Sequence, residues 1–231
     1  MINNYSRKLN APQPSPYALQ PSPYAPRLVR GVQAFALALC LPFAAYSETF
    51  TAGKDYQQLN VTPSVKSKAV TVTEYFSYGC PWCYKLEEPL EAWRKKQGST
   101  ITFTRVPVIF HDEWETYAKA YYFLTLTKQE ADISPKLFLA IQKDKKPLGK
   151  ASSMIDYLTT LGLDKSTLES GFFHSTTMDY EIKQGITAMT QNQIQSVPAI
   201  IINNQYKIDI QMAGSIPRFF EIANYLVKKS Q

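Results

Sequence analysis

Ala69-Val70-Thr71-Val72-Thr73-Glu74-Tyr75-Phe76 is a run of β-branched and aromatic residues, and such a run predicts a strand. Ser77-Tyr78-Gly79 reads as a short turn. A helix is expected to start at Cys80, with Pro81 in the first helical position, where a missing N–H costs nothing. Leu86, Leu90 and Trp93 follow at helical spacing; Pro89 inside this run is expected to kink the helix and Gly98 to end it. Residues 101–106 alternate as a second strand. Strand, helix and strand in this order make a right-handed crossover, which places the two strands parallel.

From residue 112 to about 185 the apolar period lengthens to that of helices. Trp114, Tyr117, Ala118, Tyr121 and Tyr122 form one stripe. Ser134-Pro135 opens a helix carrying Leu137, Phe138 and Ile141. Ser152 or Ser153 caps another, with Ile155, Leu158 and Leu161 inside it and Gly162 closing it. Met178, Ile182, Ile186 and Met189 mark a long last helix. Stripes of this kind are core, not cofactor contacts. After Ser196-Val197-Pro198, residues 199–202 predict a strand. Asn203-Asn204 makes a tight turn with positive φ, and 205–210 returns as a second strand. Ser215 starts a terminal helix with Phe219, Ile222, Ala223 and Leu226. Four or five helices are too many for a crossover loop. The expected architecture is therefore one α/β domain, residues 48–111 and 187–231, interrupted by an inserted helical domain, residues 112–186.

Charge refines this picture. The net charge is +6, but residues 1–47 carry Arg7, Lys8, Arg27 and Arg30 and no acidic residue, and the rest is near balance. The basic pI is therefore no argument for nucleic-acid binding. Arg27 and Arg30 precede an apolar run, residues 32–45, and Ala45-Tyr46-Ser47 follows. That is the pattern of a secretory signal, and the run is shorter than the roughly 20 residues of a membrane span. An anchor that is never cleaved is the alternative. Upstream, Pro14-Ser15-Pro16-Tyr17-Ala18 recurs as Pro21-Ser22-Pro23-Tyr24-Ala25, a composition that builds no core. It reads as a translated upstream stretch, with the start near Leu28 or Val29. Residues 1–47 are expected to be leader and signal peptide, removed together with Cys40.

Two cysteines then remain, three apart. One close pair in an exported protein is no structural framework. Two are also too few for a Cys₄ zinc site, with His111 and His174 far away in sequence, so no metal is expected. Redox chemistry is left. Cys80 at a helix N-terminus meets unpaired N–H groups and the positive end of the helix dipole, which favour thiolate. Cys83, one turn on, should be the better shielded. Cys80 is then the attacking and leaving sulfur and Cys83 resolves the mixed disulfide. The alternative is a buried pair acting as small hydrophobes.

Glu74-Tyr75-Phe76-Ser77-Tyr78-Gly79-Cys80-Pro81-Trp82-Cys83-Tyr84, followed by Glu87 and Glu88, resembles the active-site stretch of the periplasmic DsbA family of the thioredoxin superfamily. Val197-Pro198-Ala199 resembles its cis-proline loop, Arg105 stands where it carries a basic residue, and the helical block falls where it inserts a helical domain. The resemblance covers about residues 52–231. It implies an α/β thioredoxin fold with an inserted helical domain. It also implies an oxidase that donates a Cys80–Cys83 disulfide to unfolded or reduced exported polypeptides in the periplasm. A membrane DsbB-like, quinone-linked partner would reoxidise it, and the protein would be a monomer without cofactor. A cis bond before Pro198 would leave the backbone of Val197 free to pair with an extended client; a trans proline that starts a strand is the alternative. Glu74, pointing to the apolar face beneath the cysteine helix, would have a raised pKa and relay the proton of Cys83; an ordinary strand-end Glu reaching water is the alternative. Glu87 and Arg105 would tune the site electrostatically, although a solvated helix face explains Glu87 equally well.

The departure is Trp82, where the best-known DsbA proteins have His. An indole cannot become a cation beside the thiolate. Cys80 is expected to be acidic for a thiol but less so than in a His-bearing relative, and the couple correspondingly less oxidising. Trp82 thus keeps a disulfide isomerase or reductase of the same compartment open, although residues 48–67 are short for the dimerising module such isomerases carry. A groove-binding folding chaperone with vestigial cysteines, and a glutathione-dependent transferase of related fold, are the remaining alternatives.

Overall fold

The computed structural model describes residues 49–59 and 69–231; the leader, the signal pattern and Cys40 lie outside the described residues. Strands β1 (Gln57–Gln58), β2 (Val70–Phe76), β3 (Ile101–Pro107), β4 (Ala199–Ile202) and β5 (Tyr206–Asp209) form one sheet in the order β1-β5-β4-β2-β3. Strands β2 and β3 are parallel, as the crossover requires, and every other pairing is antiparallel. Asn203 and Asn204 turn β4 into β5 with φ of 52° and 54°, the positive pair a two-residue hairpin demands.

The two-residue period of the strands divides the core. Val70, Val72, Ile200, Ile202 and Ile208 point to one face, where Leu86, Leu90 and Trp93 of helix α1 (Pro81–Gln97) pack with Phe219, Ile222, Ala223 and Leu226 of helix α8 (Ile216–Lys229). Tyr75, Ala199 and Ile201 point to the other face, against the helices that intervene between β3 and β4. Glu74 shares the parity of Val70 and Val72, so its position on β2 directs a carboxylate into the layer beneath α1. Pro89 lies within α1, which continues on both sides of it, and Gly98 caps the helix with φ of 54°.

The intervening helices are α2 (Asp112–Leu126), α3 (Glu130–Phe138), α4 (Ala151–Thr160), α5 (Lys165–His174) and α6 (Thr176–Gln191). Three of their expected features need correction. Helix α3 begins at Glu130, not at Ser134-Pro135: Glu130 and Asp132 supply first-turn acids that suit the N-terminal dipole, and Pro135 is accommodated inside. A π-helical turn, Leu139–Lys143, follows it directly. Ser152 and Ser153 lie within the first turn of α4, whose cap position is Lys150; Gly162, with φ of 96°, stands just past its end. Along α6 only Met178 of the expected stripe is fully buried; Ile182 and Met189 are half-buried, and Ile186 is 44% exposed. Helix α5 was not expected. It is nucleated by Asp164, whose carboxylate accepts the Thr167 N–H at 2.8 Å, but it buries only Leu168 and Phe172, too few to show a period. The short α7 (Ile210–Ala213), capped by Asp209, and β1 were also unforeseen.

Candidate active site

Strand β2 ends at Phe76 and α1 begins at Pro81, so four residues carry the chain from sheet to helix. Within them the Cys80 N–H donates to the Ser77 carbonyl at 3.0 Å and the Gly79 N–H to Ser77 Oγ at 3.1 Å. Gly79 is required by close approach: a Cβ there would stand 2.3 Å from Trp114 Nε1. Cys80 is the N-cap of α1, with φ −90° and ψ 115°, and its Sγ accepts the Cys83 N–H at 3.1 Å. A sulfur has taken the place of the Ser or Asp oxygen that usually satisfies a helix start.

Both cysteines are present as thiols, and their environments drive them apart. The Cys83 thiol and the backbone N–H groups of Cys83 and Trp82 direct hydrogen bonds at Cys80 Sγ, which hold its pKa below that of an ordinary thiol against the opposing effect of burial. Burial pushes the Cys83 thiol well up, and its place as donor to Cys80 adds to the rise. Both sulfurs are shielded from solvent, Cys80 4% exposed and Cys83 fully buried; hydrogen bonding at the helix start outweighs burial at Cys80, whereas burial dominates at Cys83. Trp82, by contrast, is 49% exposed, with the Lys85 ammonium 4.3 Å from its ring centre; Pro81 beside it is exposed too.

The Val197–Pro198 bond is cis. It brings the Val197 carbonyl over Cys80, whose thiol donates to it at 3.5 Å. The expectation of a free Val197 backbone is amended for this carbonyl, which is engaged while Cys80 carries its proton. The loop before Pro198 is tied down on two sides. The Lys207 ammonium donates to the Gln193 carbonyl at 2.8 Å, and Asn192 donates to the Tyr75 hydroxyl at 2.8 Å.

Glu74, Arg105 and Glu87 come together. Parallel pairing sets Glu74 opposite Arg105, and Arg105 Nε donates to Glu74 at 2.6 Å. Its two terminal nitrogens reach both oxygens of Glu87 at 2.5 and 3.1 Å. Sequence reasoning missed a third carboxylate, Glu130 at the start of α3, 3.4 Å from the same guanidinium. One cation shared by three acids cannot neutralise them all. Burial, the largest influence, lifts Glu74 to about 7; Arg105 opposes the rise and Glu87 adds to it. The Glu74 charge in turn raises both cysteines, so carboxylate and thiols share one electrostatic site. Glu74 is 1% exposed, which removes the reading of a strand-end Glu reaching water, and the fork to Arg105 removes that of Glu87 as an idle surface residue. The arrangement can hold a thiolate at Cys80, keep Cys83 protonated, and store a proton on a carboxyl group near neutral pH. Among the described residues no group of His, Cys, Asp and Glu is arranged to hold a metal ion.

Comparison with known proteins follows the same lines. The thioredoxin family model matches residues 66–214. The thiol:disulfide interchange protein DsbA of Burkholderia cepacia is 34% identical over 181 residues, 78% of this chain and 85% of that one. DsbA of Pseudomonas aeruginosa strain PAO1 is 29% identical over 197 residues, 85% of this chain and 93% of that one. A crystal structure of Pseudomonas aeruginosa DsbA is similar with a TM-score of 0.72 at 30% identity, covering 78% of this chain and 94% of the other. The fold is likewise that of the Xylella fastidiosa DsbA structure, with a TM-score of 0.71 at 21% identity over 78% and 96% of the two chains.

Proposed function

We propose an oxidase that hands its disulfide to exported polypeptides, on the premise that the chain belongs to the thioredoxin family and, within it, to the DsbA thiol:disulfide interchange proteins. As such it is a thiol–disulfide oxidoreductase. The observation that carries the direction of transfer is the unequal treatment of the two sulfurs: Cys80 is held acidic at the helix start while Cys83 is buried and kept protonated.

In the proposed cycle a client thiolate attacks Cys80 Sγ of the Cys80–Cys83 disulfide. The new bond joins client and Cys80, and Cys83 leaves with the electron pair. It takes a proton from Glu74, whose pKa of about 7 suits it to give and regain one. A second client thiolate then attacks the client sulfur of the mixed disulfide and expels Cys80 as the stabilised thiolate. The client has lost two electrons, the protein holds Cys80 as thiolate and Cys83 as thiol, and Glu74 regains its proton from solvent. Pro198 and Val197 border the sulfur, and the client's backbone is read as pairing there by strand addition. Arg105 and Glu87 adjust the proton affinity that burial gives Glu74.

Reoxidation is assigned to a membrane DsbB-like, quinone-linked protein and the location to the periplasm, supported by the export pattern in residues 1–47 and by family membership. Residues 112–186 are read as the helical insertion in a thioredoxin-like domain of 48–111 and 187–231, with α6 carrying the helical layer on to Gln191. The test is the reduction potential of the Cys80–Cys83 pair, measured in glutathione buffers. About 30 mV is a tenfold change for this two-electron couple. A couple more oxidising than the glutathione pool supports the oxidase; one more reducing overturns it in favour of a reductase.

A further inference from the structure

The turn that presents Cys80 is gripped from outside the sheet. Gln142 Nε2 donates to the Tyr78 carbonyl at 2.6 Å. The Tyr78 hydroxyl pairs with Ser134 Oγ, both groups buried. The Phe138 ring meets the Tyr78 ring edge-on, with centroids 4.9 Å apart, and Trp114 closes against Gly79. All four side chains come from the helices between β3 and β4, and all four reach the two residues immediately before the attacking cysteine.

Two features make more of this than ordinary packing. The carbonyl of Tyr78 needs a donor, because a buried carbonyl left unpaired is costly. The neighbouring turn amides are committed elsewhere: those of Gly79 and Cys80 both go to Ser77. A side-chain amide therefore serves a carbonyl in the turn, two residues from the sulfur. That amide also sits in the π-helical turn Leu139–Lys143. Such turns are rare and occur frequently at functional sites.

We propose that Gln142, with Ser134 through Tyr78, is a positioning residue for the attacking thiol: the helical layer fixes the Tyr78–Gly79 turn so that Cys80 Sγ stays within hydrogen-bonding reach of the Cys83 N–H. The bond concerned is 3.1 Å long, and hydrogen bonds weaken steeply as the angle at the hydrogen falls below about 120°. A turn released at Tyr78 would let the N-cap drift, and the thiolate would lose its support before the fold lost its core. The helical layer then does more than cover the sheet; it sets the acidity of the sulfur. This rests on Cys80 being the attacking group.

The experiment compares the reduced protein with Gln142→Ala and with the pair Tyr78→Phe, Ser134→Ala, which removes both hydroxyls and strands neither. The readouts are the ultraviolet titration of the Cys80 thiolate, the rate of attack on a small aromatic disulfide at a pH below the midpoint, and the urea midpoint. The expected result is a higher titration midpoint in both variants, with about threefold or more fewer thiolates at the working pH and attack slowed in proportion. A purely structural contact would move the urea midpoint and leave the titration where it was. A native-like titration in folded Gln142→Ala overturns the inference. Should that variant not fold, a native-like titration in the paired variant overturns it equally. If the unmodified protein itself titrates like an unfolded thiol, the assignment of Cys80 fails instead, so the two failures are distinct.

Discussion

Glu74→Gln isolates the proton on the buried carboxyl group. In the folded protein burial lifts Glu74 from its ordinary 4.5 to about 7, whereas in the unfolded chain it titrates near 4.5. The folded state therefore binds the extra proton more tightly throughout the window between those values. Stability must fall as pH rises through the window, because the unfolded state releases the proton first. At about 1.4 kcal/mol for each pH step of one, the full loss is about 3 kcal/mol. Gln has nearly the same shape and cannot ionise. It still offers an oxygen to Arg105, which also keeps its fork to Glu87. Urea unfolding of the reduced protein and of Glu74→Gln, run from pH 4 to pH 8, should give curves that diverge across the window. The variant should gain relative to the parent by about 3 kcal/mol at the upper end. Taking the difference cancels the titration of surface groups far from the site. Parallel curves would refute the reasoning, since they would mean that Glu74 ionises in the folded protein as it does in the chain. The same variant should slow the step in which Cys83 exchanges its proton, and slow it most below neutral pH, where the parent still carries a proton to give.

Trp82→His places a titratable donor beside Cys80, so the thiolate titration should fall to a lower midpoint and the potential rise by about 30 mV for each tenfold change; an unchanged or higher midpoint contradicts it. Arg105→Met leaves Glu74, Glu87 and Glu130 without their shared cation, and the cost at pH 8, where the acids are ionised, should approach about 3–5 kcal/mol and shrink as the pH is lowered and they are protonated; calorimetry at pH 5 and pH 8 checks both size and direction. Gly79→Ala would drive a Cβ to 2.3 Å from Trp114 Nε1. The ring or the turn must yield, so a shift in tryptophan fluorescence should accompany slower thiol exchange, and unaltered emission and rate would show that the contact is slack.

Much of the fold was legible because it is local. Strand β2 and the start of α1 declare themselves through β-branched alternation and through Pro81 in the one helical position it favours; the hairpin is written in Asn203-Asn204, and α8 in the spacing of Phe219, Ile222 and Leu226. The cis bond at Val197–Pro198 was not available from residues alone and came from resemblance. What stayed hidden depends on docking between distant segments. Parity told that Glu74 points inward but not that the guanidinium opposite would reach Glu87 and Glu130 as well. Ser134-Pro135 has the look of a helix start, and that reading concealed the real start at Glu130 along with the inward-facing hydroxyl of Ser134. Gln142 carries no local signal, because its partner is a carbonyl 64 residues away. Helix α5 was missed since a ten-residue helix with two buried side chains shows no period.

The most direct measurement is the titration of Cys80 in the folded, reduced protein set beside the same protein unfolded in urea, with Cys83 replaced by Ser in both so that one thiolate is read. The folded midpoint should lie below the unfolded one, because the hydroxyl of the introduced Ser can donate where the Cys83 thiol did and the backbone N–H groups at the head of α1 remain aimed at Sγ. Coincident midpoints, or a folded value above the unfolded one, would mean that burial prevails over the helix start. The sulfur would then have no more tendency to leave than any other, and the account of disulfide donation would not stand.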